Sequence, residues 1–257
     1  MHPAQSSDRG FLALTALLFV ASAATTVLWC GSMSAMPGME MPGGWTMSMA
    51  WMRMPGHSWP GAAATFIGMW IVMMVAMMLP SLVPMLVSYR AAVAGDGRHL
   101  LRLTAVVSAG YYFVWMLAGV AAYPLGLALA EAGMQRPALA RGVPIAAGLV
   151  VMIAGALQFT AWKTRRLKCC RSALACCLPA ESGTAWQHGL RLGFNCVQCC
   201  AGFTGALLVL GVMDLRAMVV VTLAITAERL APSGEHVARV IGAFVIAGGI
   251  WMTARAL

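Results

Sequence analysis

Seven of the eight cysteines of this 257-residue chain fall in two short stretches, KTRRLKCCRSALACCLP and HGLRLGFNCVQCCAG. The first holds the doublets Cys169–Cys170 and Cys176–Cys177, and the second holds Cys196, Cys199 and Cys200. On a helix, the i, i+3, i+4 spacing of the last three puts their thiols on one face within a single turn, which is a ligand geometry. Thiolates are the strongest biological ligands for Cu(I) and other soft ions, and the neighbouring Lys168, Arg166 and Arg171 favour deprotonated thiols in the first stretch. Adjacent doublets match poorly the two separated Cys-x-x-Cys pairs of a structural zinc site. The plainer alternatives are cysteines buried as small apolar side chains, or palmitoylated thiols next to a membrane.

Methionine supplies a second soft-sulfur set. The segment GSMSAMPGMEMPGGWTMSMAWMRMPGHSWPG carries Met33, Met36, Met39, Met41, Met47, Met49, Met52 and Met54. Its Gly and Pro content forbids a long helix, and a solvated loop gains little by exposing apolar thioethers. Thioethers are neutral at any pH, so clustered Met suits Cu(I) where free thiols would be oxidised, and His57 adds an imidazole for Cu(II). The competing reading folds this loop onto the lipid surface with Met and Trp as anchors. In MWIVMMVAMMLPSLVPM, Met69, Met73 and Met77 recur at i, i+4, i+8 along one helix face, spread over about 12 Å, with Met74 and Met78 in the adjacent row. Such a stripe is either adaptable core filler or a conduit for a soft ion.

These residues need elements to hold them. With 61% hydrophobic residues, 10% charged residues and a mean hydropathy of +0.80, the chain is not composed like a soluble protein. Apolar runs predict an all-α, polytopic membrane protein with seven spans, at about 11–29, 62–88, 103–130, 143–162, 194–212, 215–230 and 238–254. The sixth is short for a bilayer. The second is expected to be broken by Pro80 and Pro84, each of which lacks a helix donor. No soluble domain is evident: the chain reads as a single membrane domain over 1–257, with a Met-rich outer loop at 30–61 and a Cys-rich basic inner loop at 163–193. Of the 17 Lys and Arg, 12 fall on one side of these spans and 5 on the other (Arg53, Arg136, Arg141, Arg216, Arg255), which predicts N-in, C-out. A cleaved signal peptide over the first span leaves the next loop outside as well.

The charge pattern also limits function. A net charge of +9 invites a nucleic-acid partner, but the basic residues punctuate the spans, where topology accounts for them. No phosphate-cradling loop appears, which argues against ATP-driven transport within this chain. Among the acidic residues, Asp214 and Glu228 sit near span ends, and ion pairs with Arg216 and Arg229 are the expected roles.

The stretch HGLRLGFNCVQCCAGFTGALLVLGVMDLRAMVVVTLAITAERL (188–230), together with MMVAMMLPS in the second span, resembles a bacterial family of predicted metal-binding integral membrane proteins. That family carries a domain of unknown function and includes a copper-chaperone partner of a bacterial tyrosinase. The resemblance covers about residues 62–257. It is most specific at Cys196-x-x-Cys199-Cys200 and at Gly211-Val212-Met213-Asp214-Leu215, where many members have Asn in place of Asp214. Glu228 falls where the family has a Glu followed by a basic residue. The doublets at 169–170 and 176–177 are closer than the family's usual cysteine spacing, which leaves the ligand set of that loop open. The resemblance implies copper delivery to a partner enzyme rather than catalysis.

The expected function is therefore handling of Cu(I) in the bacterial inner membrane, by binding, transport or delivery to a copper-dependent enzyme. Outer methionines would capture or release the ion, the membrane rows coordinate or pass it, and the inner cysteines hold it. Two alternatives use the same residues: transport of mercury or silver, and a thiol-disulfide oxidoreductase built on the vicinal cysteines.

Overall fold

The computed structural model describes residues 3–34, 38–42, 44–47, 51, 58–93, 96–171 and 184–257. Among them are eight helices: α1 (Pro3–Ser34), α2 (Trp59–Ala92), α3 (Gly97–Gln135), α4 (Pro137–Leu157), α5 (Ala161–Arg171), α6 (Ala185–Leu210), α7 (Leu215–Leu230) and α8 (Gly234–Ala256). Six of these, all but α5 and α7, are long and apolar enough to cross a membrane. The short α7 coincides with the predicted sixth span, but its sixteen residues, about 24 Å of rise, put it below that length.

Three expectations change. The chain is not purely helical, because Met39–Met41 and Trp45–Met47 form an antiparallel hairpin, with Met39 opposite Met47, in the segment expected to be loop. Nor is α2 broken: it runs as one helix through Pro80 and Pro84. Surrounding helices hold the helical path at both prolines, as they do for proline in membrane helices generally. Finally, within the segment expected as an inner loop, residues 163–171 and 185–193 are helical, in α5 and α6.

Burial separates the helices by role. More than half of the α2 span is buried, whereas the α1 and α8 spans mostly face outward, with Leu17, Leu28, Phe244 and Trp251 exposed. An outward apolar face needs no protein partner in a lipid environment. α4 and α8 approach closely because both carry glycine at the crossing: a Cβ on Gly155 would lie 2.8 Å from the carbonyl oxygen of Gly242, and one on Gly249 would lie 2.8 Å from that of Gly148. The same device joins α3 to α6. A Cβ on Gly193 would lie 2.7 Å from the carbonyl oxygen of Tyr111, so only glycine lets α6 pass that near to α3. Gly211, at φ +118°, ends α6 in a conformation that side-chain-bearing residues rarely adopt. Asp214 then starts α7 as its N-cap, accepting from the backbone N–H groups of Arg216 (2.8 Å) and Ala217 (3.2 Å). Asp214 thus acts on the backbone of Arg216 and not on its side chain, in place of the expected ion pair.

Candidate metal centre

The close passage of α3 and α6 at Gly193 sets the first contact of the site. One helical turn further along α6, Cys196 Sγ lies 2.9 Å from the Tyr111 hydroxyl. Cys196, Cys199 and Cys200 share the inward face of α6 as their spacing predicts, and all three are buried at 1–3% exposure. Cys170 joins them from α5 and is equally buried. The thiol of Cys199 lies near those of Cys170 and Cys200, and that of Cys196 near that of Cys200. Four thiols from two helices therefore form one cluster. No disulfide joins the described cysteines.

Two buried cations face this sulfur. Arg229, near the end of α7, places Nη2 at 2.8 Å from Cys196 Sγ, 3.4 Å from Cys200 Sγ and 3.9 Å from Cys170 Sγ. Its Nη1 donates to Ser81 Oγ on α2 at 3.1 Å. Lys163 on α5 donates to the Cys199 carbonyl at 2.8 Å, sits 2.8 Å from Glu228 Oε2, and lies 5.1 Å from the centre of the Phe203 ring. Glu228 is the one buried carboxylate here. Two cations against one carboxylate leave a surplus positive charge that favours anionic sulfur, because an uncompensated buried charge is costly.

Glu228 pairs with Lys163, not with the adjacent Arg229 as expected. The cations assigned to the inner thiols are elsewhere too: Arg166 donates to Asn195, Lys168 pairs with Glu235, and Arg171 donates to the carbonyls of Glu228 and Pro232. The expected fourth span stops at residue 162, which leaves Lys163 to the inner loop instead of a buried helix face. A lysine and an arginine closing apolar runs are nonetheless the signal that points to such groups.

The methionine rows lie in the same core as the thiols. Met69, Met73, Met74, Met77 and Met78 are all buried in the cluster that includes Cys170, Cys196, Cys199 and Cys200. Ser81 follows Met77 by four residues, so the row of Met69, Met73 and Met77 continues one turn deeper into the hydroxyl that holds Arg229. Of the remaining candidates, Cys169 is partly exposed, Met33 is half-buried on α1, and Met39 is exposed. Met41 and Met47 are buried against Ala130, Ala140, Trp45 and Trp51, and Trp45 Nε1 donates to the Ala140 carbonyl at 2.8 Å. Met36, Met49, Met52, Met54, His57, Cys176 and Cys177 lie outside the described residues.

Among the described residues, no group of three or more His, Cys, Asp or Glu side chains is disposed to hold a metal ion as it stands. The four thiols are closed on one another and on a guanidinium. Their chemistry still fits a soft monovalent ion, since they supply several sulfurs from two helices in a water-poor interior. Comparison with curated proteins and with solved structures gives no match. A family model described as PpoB2, copper chaperone, matches residues 67–252, which contain α2 from its third turn, the four clustered thiols and both cations. The chain belongs to this copper chaperone family.

Proposed function

We propose that the protein is a multi-pass bacterial inner-membrane copper chaperone that binds Cu(I) as cargo at Cys196, Cys199, Cys200 and Cys170 and hands it to a copper-dependent enzyme. It is not itself an enzyme. The chain forms one membrane domain in which the short α7 crosses as a seventh span, with the N-terminus inside and the C-terminus outside, in keeping with the twelve-to-five distribution of basic residues. The observation that carries this reading is the gathering of four buried thiols around two cations, in the core that also holds the methionine rows. Weak neutral thioethers on α2 and stronger thiolates on α6 offer an ion successive sulfur ligands. At the outer side, Met33, Met39 and the methionines of 48–57 are the capturing groups, while burial of Met41 and Met47 suits packing.

Protein purified anaerobically under reducing conditions should contain copper by elemental analysis. Replacing Cys199 and Cys200 together by Ser exchanges soft ligands for hard ones of nearly the same size, so folding is retained while Cu(I) affinity falls by about two orders of magnitude or more. Undiminished binding in that double variant defeats the assignment. Mercury or silver in place of copper keeps the site and changes the cargo.

A further inference from the structure

The guanidinium of Arg229 sits where three thiols converge. One nitrogen, Nη2, lies within 4 Å of the sulfurs of Cys196, Cys200 and Cys170, which come from two helices. Those sulfurs thus surround a cationic nitrogen as they would surround a metal ion, only at hydrogen-bond rather than coordination distance; metal–thiolate bonds are about 2.3 Å. Among the described residues, the Nε of Arg229 and the Oε1 of Glu228 have no hydrogen-bond partner. A buried arginine whose donors are only partly matched is not held fully in place at the sulfurs.

We propose that Arg229 is the protein's own stand-in cation: guanidinium and cargo ion compete for the same thiols, and Arg229 sets the affinity at a level that allows release. This rests on the thiol cluster being the Cu(I) site. Occupancy of the sulfurs by one cation excludes the other, so loading requires Nη2 to withdraw and its three sulfur contacts to break. Arg229 contributes little attraction to the ion in return, because two like charges at one point repel. Support for anionic sulfur survives its removal, since Lys163 remains on the Cys199 carbonyl beside the cluster. Competition therefore outweighs assistance. Unloading runs the other way, as Arg229 returns to the sulfurs and fills the charge the departing ion leaves.

The test is Cu(I) competition against a chromophoric chelator in detergent-purified protein under anaerobic conditions, with monodispersity confirming the fold. Arg229→Gln, which keeps a donor for Ser81 and removes the charge, should bind Cu(I) about tenfold more tightly, the scale of one lost charge-assisted competitor. Unchanged or weaker binding by Arg229→Gln overturns the proposal. If that variant does not fold, Ser81→Ala removes the 3.1 Å anchor of Nη1 without touching sulfur; it should tighten binding about threefold, and equal or weaker binding overturns the proposal as well. The Cys199→Ser, Cys200→Ser protein separates the two levels. If it still binds Cu(I), the site itself is wrong; if it loses binding while Arg229→Gln gains none, only the role of Arg229 fails.

Discussion

Met41 and Met47 in the hairpin and Cys196, Cys199 and Cys200 on α6 are sulfur side chains buried to a similar degree, at 2–7% and 1–3% exposure. Their neighbours differ completely. The two thioethers touch alanine and tryptophan, and the polar contact in that cluster, Trp45 to the Ala140 carbonyl, bypasses sulfur. The thiols touch one another, a guanidinium and a tyrosine hydroxyl, with a lysine and a carboxylate just behind. Burial alone therefore does not distinguish the two sets, and the charge of the surroundings does. The α2 methionines stand between these cases: Met69 and Met73 lie in the same helix turns as Phe66 and Trp70, whereas Met77 leads to Ser81 and so to Arg229.

The strongest way to disturb this contrast is through the polar frame of the thiols. Lys163→Met leaves Glu228 buried without its ion-pair partner and should cost about 3–5 kcal/mol of stability, measured as a lower temperature of aggregation in detergent. Combining it with Glu228→Leu should recover most of that loss, because a buried pair replaced by apolar groups is often near neutral. A smaller stability effect with a clear functional one is expected in α2. Replacing Met69, Met73 and Met77 together by Leu conserves volume, at under about 1.5 kcal/mol per site, yet removes three thioether sulfurs. Copper-dependent activation of a partner enzyme should drop while expression stays near normal; full activation at normal expression makes the row packing only. The least effect belongs to the hairpin. Met41→Leu with Met47→Leu should leave copper content and stability nearly unchanged, whereas Trp45→Phe, which loses the bond to Ala140, should cost about 1 kcal/mol.

Much of this arrangement is legible in the sequence because it is local. The shared face of Cys196, Cys199 and Cys200, the methionine rows and the limits of α7 all follow from helical period and apolar runs. The joining of α5 to the site is not local. Lys163 meets Glu228 across 65 positions, and Arg229 meets Ser81 across 148. No periodicity encodes such pairs. Nearest neighbours in sequence mislead here, which is why Glu228 was expected on Arg229 and Asp214 on the side chain of Arg216. The prolines of α2 mislead for a related reason: the local rule predicts a break, and the packing around α2 overrides it.

The depth of the thiol cluster has a consequence for time rather than for affinity. Sulfurs with almost no accessible surface cannot be approached by a dissolved chelator or peroxide while the helices remain together, so ligand exchange must wait for α5 or α7 to part from α6. For an ion bound as proposed, the lifetime then follows the frequency of that opening, so that a centre of ordinary equilibrium strength would exchange it as slowly as an inert one.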